Sequence, residues 1–73
     1  MKEQIFTLRE EQILELVKQG YNSKEVALKL HISFNTVKFH IHTIIARMRA
    51  KTLLQAVVRA INQGFITSEE IIS

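Results

Sequence analysis

Cysteine, proline, tryptophan and aspartate are all missing from this 73-residue chain, and glycine occurs only at 20 and 64. Without cysteine there is no disulfide framework, thiolate zinc site or thiol nucleophile, a usage that fits a reducing compartment. Without aspartate, a G-x-S-x-G elbow or a phosphate-cradling glycine loop, the common catalytic triads and nucleotide sites cannot be assembled. The chain is therefore read as no enzyme, with no cofactor and no small-molecule substrate. The lack of proline and of repeated or low-complexity tracts leaves no linker, so residues 1–73 read as a single domain. Apolar runs stop after a few residues, far below the roughly 18 that a membrane span needs, and the start MKEQIFTLREEQ is too acidic for a signal peptide. A cytoplasmic location is expected, with no membrane partner. The Met1 start reads as a stand-alone chain rather than an excised output domain. A chain this short buries only about 60% of its unfolded surface, which gives a second subunit something to contribute.

What is present is positive charge, and it is concentrated. Residues 24–59 hold Lys24, Lys29, Lys38, Arg47, Arg49, Lys51 and Arg59 against Glu25 alone, whereas the flanks hold Lys2, Arg9 and Lys18 against six glutamates. Such asymmetry is the footprint of a polyanion partner. Nucleic acid comes before membrane here, because no basic amphipathic segment carries a bulky aromatic apolar face. A solvated basic surface without a partner is the plainer alternative.

Capping signals divide the chain into four helices. Thr7 with Glu10 forms a capping box, opening a helix over about 8–19 whose apolar face is Ile13, Leu16 and Val17 and whose stop is Gly20. Asn22 with Glu25 repeats the signal and opens a short helix to about Leu30, with Val26, Ala27 and Leu30 inward. After His31, Ile32 and Ser33, the Ser33 cap starts a third helix reaching roughly Arg49, with apolar residues at 34, 37, 41, 44, 45 and 48. Thr52 with Gln55 reads as another capping box, and a fourth helix runs to about Gln63, stopped by Gly64 with Phe65 and Ile66 as apolar contacts. This last helix is apolar nearly all round, which calls for two covering surfaces, its own core and a second subunit; wrapping by the domain itself is the alternative. Residues 67–73 add at most a turn and carry no nameable chemistry.

Two helices joined by a three-residue turn, the second longer and basic at its far end, have the sequence form of a helix-turn-helix. On the third helix, Val37, Ile41, Ile44 and Met48 centre the buried stripe and leave Phe39 almost opposite, with Asn35, Thr36, His42, Thr43 and Arg47 around it. Phe39 suits a thymine methyl in the major groove or the surface of a partner protein, unless it is simply exposed. Lys38 can reach guanine O6 and N7 or remain solvated. Asn35 and Thr36 lie in the first turn, where side chains meet phosphate and also cap. His40 and His42, two apart on a helix, point about 200° apart and cannot chelate one ion, so no metal site is expected. His40 falls at the edge between core and surface, with a structural or a phosphate-side role, and His42 shares the face of Lys38 and Phe39.

The motifs are those of a known family. The chain carries T-x-R-E at Thr7, Arg9 and Glu10, K-E-V-A at 24–27, and I-S-x-x-T-V-K-x-H from Ile32 to His40. A-V-x-x-A at Ala56, Val57 and Ala60 follows, and then G-F-I at 64–66. In this it resembles the DNA-binding domain of LuxR-type transcription regulators, especially small stand-alone GerE-like members, from about Phe6 to Ile66. The resemblance implies an all-α, four-helix bundle, with helices two and three as the helix-turn-helix and the fourth helix for dimerisation. It implies a bacterial homodimer bound to a pseudo-palindromic double-stranded DNA site in the nucleoid, with RNA polymerase as a further partner. Base contacts are expected from Lys38, Phe39, His42 and Asn35, and phosphate contacts from Thr36, His40, Thr43, Arg47, Lys24 and Ser23. The dimer seam is expected at Val57, Ala60, Ile61 and Leu54. The chain departs from the pattern at Asn22 and Ser23, whose order is exchanged, and at Leu53, where the family usually has arginine. A protein-interaction or antagonist module that keeps the fold and dimer helix without strong DNA binding is the alternative reading.

Overall fold

The capping residues read from the sequence are where the helices begin. A computed structural model describes residues 5–67 and contains α1 (Leu8–Lys18), α2 (Ser23–Leu30), α3 (Phe34–Arg47) and α4 (Leu53–Asn62), with no strand among the described residues. The seven-residue C-terminal stretch considered above lies, from 68 onward, outside the described residues.

At α1 the Thr7 hydroxyl accepts from Glu10 N–H at 3.1 Å while the Glu10 carboxylate accepts from Thr7 N–H at 3.0 Å. Asn22 and Glu25 exchange the same two bonds, both 2.9 Å, at the start of α2. The box expected at α4 is only half formed. Thr52 Oγ1 accepts from Gln55 N–H, but the Gln55 side-chain oxygen reaches past the cap to Lys51 N–H at 2.7 Å. All four helices end in one motif, with paired bonds from two successive residues just past the helix back to its last turn. That motif needs a left-handed residue, supplied by Gly20 (φ 99°) and Gly64 (φ 81°) but also by His31 (φ 58°) and Arg49 (φ 56°). At α1, for example, Tyr21 N–H donates to Leu16 C=O and Gly20 N–H to Val17 C=O. The regular helices accordingly stop at Lys18, Arg47 and Asn62, one or two residues before the expected ends.

The interior has two lobes, and α3 belongs to both. Ile13, Val26, Ala27, Val37 and Ile41 join α1, α2 and α3; Phe6, Leu14, Ile44, Met48, Ala56, Val57 and Ala60 join α1, α3 and α4. Val17, Ile45 and Leu53 pack against both lobes. Leu53, in place of the family's usual arginine, is thus a seam residue of the core. Ile13 and Leu14 are the deepest residues of α1, whereas Leu16 and Val17, expected inward, are half-buried. Phe6 meets the edge of Phe65, with ring centroids 6.4 Å apart and planes at 88°. Lys18 is buried, its Nζ donating to Thr67 C=O at 2.9 Å and pairing with Glu15 at 3.2 Å, which ties the chain after α4 back to α1.

The four residues expected at a dimer seam fall in different surroundings. Val57 and Ala60 are buried within the single chain, at 6% and 0% exposure, because their side chains complete the second lobe of its core. They have almost no surface left to offer. The outward part of α4 is Leu54, Val58 and half-buried Ile61.

Candidate nucleic-acid interface

The turn His31–Ile32–Ser33 fixes how α3 leaves α2. Ile32 N–H donates to Ala27 C=O at 3.1 Å, and the Ile32 side chain packs into the first lobe. Ser33 Oγ accepts from Thr36 N–H at 3.0 Å and donates to Thr36 Oγ1 at 2.8 Å. The first turn of α3 contains no acidic residue, so the positive end of its dipole is not offset from within the helix. Val37, Ile41, Ile44 and Met48 anchor the helix along one side.

Opposite that anchor, Asn35, Lys38, Phe39 and His42 are exposed at i, i+3, i+4 and i+7, a single stripe of amide, ammonium, aromatic and imidazole groups. Phe39 is 67% exposed, and its ring meets the edge of His40 at 5.7 Å between centroids. The sequence-derived base-reading set is therefore brought together on one outward stripe.

The adjoining stripe, Thr36, His40, Thr43 and Arg47, reaches α1 at its far end through Arg47. Thr36 is exposed, His40 half-buried, and Thr43 Oγ1 donates to Phe39 C=O at 3.0 Å, so its hydroxyl proton is engaged within the helix. Arg47, expected at a phosphate, is engaged within the chain. Its guanidinium forks onto the Glu10 carboxylate, with Nη2 to Oε2 at 3.2 Å, donates to Ile5 C=O at 3.2 Å and lies 5.7 Å from the Phe6 ring centroid. The reason is that Glu10, 3% exposed, needs a counterion more than the surface needs another cation. Burial alone would push the Glu10 carboxyl up. The Arg47 hydrogen bond, the Thr7 N–H bond and the charges of Arg47 and His40 outweigh it and hold the group below its ordinary value.

Ser23 and Lys24 stand in the first turn of α2, the former half-buried and the latter exposed. The exposed end of α3 adds a residue that periodicity had treated merely as apolar. The Phe34 ring has Lys24 Nζ at 6.0 Å and Lys38 Nζ at 5.3 Å from its centroid. Its spacing of four from Lys38 was a visible signal; its meeting with Lys24 depends on the α2–α3 angle and was not. Arg59, counted above with the basic window, serves the fold by donating to Met48 and Arg49 carbonyls at 3.2 and 2.7 Å. Among the described residues no group of three or more His, Cys, Asp or Glu is placed to hold a metal ion, and no helix is long and apolar enough to cross a membrane. An open groove of ≈ 480 Å³ between α1 and α2, floored by Leu8, Leu16 and Leu30, lies away from the outward stripe of α3. The surface suited to a duplex is thus a protruding helix of about groove-filling width rather than a cavity.

Comparison with known proteins agrees with this geometry. Residues 4–60 match the GerE profile, described as bacterial regulatory proteins of the luxR family. The chain is 39% identical over 61 residues to the uncharacterized transcriptional regulatory protein YxjL of Bacillus subtilis, covering 84% of this chain and 28% of that protein. It is 35% identical over 63 residues to the response regulator protein VraR of Staphylococcus aureus strain Mu3, covering 86% and 30%. It is 33% identical over 60 residues to the HTH-type transcriptional regulator AlkS of Pseudomonas putida, covering 82% and 7%. The chain thus spans less than a third of the length of these curated relatives.

Proposed function

The chain belongs to the luxR family of bacterial regulatory proteins, and from that premise we propose that it is a sequence-specific regulator of transcription that binds double-stranded DNA as a homodimer. Each copy lays α3 in the major groove of one half of a pseudo-palindromic site. The observation that carries this reading is the outward stripe of Asn35, Lys38, Phe39 and His42 on a helix without a single carboxylate. Lys38 is assigned to guanine O6 and N7, Asn35 and His42 to polar base edges, and Phe39 to a thymine methyl. Lys24, Ser23, Thr36 and half-buried His40 are assigned to the phosphates on either side, with Thr43 joining them only by releasing its bond to Phe39. RNA polymerase is the further partner, and the nucleoid the place of action. The single-domain reading of residues 1–73 belongs to the same proposal.

Selection of bound sites from random duplexes, followed by titration of operator variants, tests it. Lys38→Ala and His42→Ala should each relax preference at one or two base pairs, costing about 1–3 kcal/mol there. Lys24→Ala should weaken all sequences alike and reduce the slope of log affinity against log salt by about one. Unchanged preference in every α3 variant would overturn the readout assignment. The antagonist reading draws on the 67% exposure of Phe39, an aromatic equally suited to a protein surface. A duplex affinity that stays flat across a tenfold range of salt would favour it.

A further inference from the structure

We propose that Phe34 is a positioning residue for this DNA contact, its ring gathering Lys24 of α2 and Lys38 of α3 so that the backbone-contacting and base-contacting cations are set as a pair. The inference rests on the DNA-binding reading and adds to it a residue that itself forms no hydrogen bond to the duplex. Its first support is the geometry: one ring, 39% exposed, with ammonium groups 6.0 and 5.3 Å from its centroid that arrive from two different helices. Its second is location, since the ring borders an apolar notch with Ala27, Leu28 and Ile32, where α2 and the turn meet α3. Its third is the engagement of the carboxylate next to Lys24 in sequence: Glu25 accepts from its own cap at Asn22 N–H at 2.9 Å.

The choice of residue type supports the same role. Phe34 is the first residue of α3, a position whose dipole favours an acidic side chain. A carboxylate there would also collect both lysines, but it would cancel half of their charge and repel phosphate. An aromatic face attracts the two cations through its quadrupole and leaves their full charge facing outward. Lysine has a long, freely rotating stem, so ordering it before binding removes part of the entropy lost when the complex forms.

The test compares Phe34→Leu, which keeps an apolar side chain without the aromatic face, with Phe34→Tyr, which keeps both, in the full chain. In the free protein, NMR should find the Lys24 and Lys38 Hε resonances shifted upfield by the ring in wild type and Phe34→Tyr, and unshifted in Phe34→Leu. Duplex affinity should fall about tenfold in Phe34→Leu, with an unchanged thermal midpoint, and return to within about twofold of wild type in Phe34→Tyr. Lys24→Ala should cost less in the Phe34→Leu background than in wild type, because the pair is already uncoupled. Wild-type duplex binding together with wild-type affinity in Phe34→Leu, or failure of Phe34→Tyr to rescue, would overturn the role of Phe34 and leave the DNA reading standing. Absence of salt-dependent duplex binding by the wild-type chain would overturn the DNA reading itself.

Discussion

Glu10 and Arg47 form a pair whose burial is lopsided, the carboxylate side chain 4% exposed and the guanidinium 30%. Removing the arginine strands a buried anion, whereas removing the anion frees a cation that can turn to water. Arg47→Met should therefore destabilise the domain by about 2 kcal/mol at pH 7, short of the roughly 3–5 of a fully buried pair because solvent reaches one partner. Urea denaturation measures it. Glu10→Gln should cost less, because glutamine at this position retains the capping box with Thr7. Since the Glu10 carboxyl titrates in the folded state below its ordinary value of 4.5, its contribution is complete above that pH and disappears as the pH falls through the folded value. Wild type should thus lose stability in acid more steeply than Glu10→Gln; parallel curves between pH 6 and 3 would refute the coupling. This pair was hidden in the sequence for a definite reason. Glu10, Leu14 and Lys18 lie at i, i+4 and i+8 and are all buried, but with charges at both ends the stripe does not register as hydrophobic periodicity. Arg47 looked outward on the same logic, and only the position of α1 reveals its partner.

At the scale of the element, helix ends decide more than helix interiors. Starts were legible because a cap is local chemistry: Thr7, Asn22, Ser33 and Thr52 each accept from the amide three residues on. Two stops were legible as glycine. The other two carry no glycine: α2 ends at Leu30 as expected, α3 stops short of the expected Arg49, and His31 and Arg49 occupy the left-handed region without the residue that signals it. His31→Gly and Arg49→Gly should each stabilise the fold by about 0.5–1 kcal/mol, the relief of left-handed strain being partly offset by glycine's greater freedom when unfolded. Thermal melts of the single and double variants measure it, and a loss of stability in both would refute the strain argument. The end of α3 has a further support in Arg59, whose guanidinium binds the Met48 and Arg49 carbonyls left over by the helix. Arg59→Met should cost about 1–2 kcal/mol and speed amide hydrogen exchange in the last turn of α3. Exchange rates equal to wild type there would show that the helix end holds without it.

At the scale of the whole molecule, the outward stripe of α3 was readable in advance and the outward stripe of α4 was not, and the difference is one of contrast. On α3, polar and basic residues oppose the apolar anchor, so a 3.6-residue period separates the faces. On α4 nearly every residue is apolar, and a wheel cannot tell which side the monomer takes. Packing settles it by placing Ala56, Val57 and Ala60 in the core and leaving Leu54 74% and Val58 45% exposed, with Ile61 half-buried. Residues 54, 58 and 61 follow i, i+4 and i+7, a continuous apolar stripe on the outside of the domain. If the proposed homodimer forms along α4, this stripe meets its symmetry mate, and charge placed there should separate the copies without unfolding either. The double variant Leu54→Glu, Val58→Glu should sediment as a monomer at concentrations where wild type is a dimer, while its thermal midpoint extrapolated to monomer remains within the effect of about 0.5 kcal/mol per surface change. On DNA it should keep half-site preference, because the α3 stripe is untouched, and lose the cooperative binding of a full site. Val57→Asp makes the contrasting control: it buries a charge within one chain and should unfold the domain at any concentration. A double variant that still dimerises would move the interface off α4.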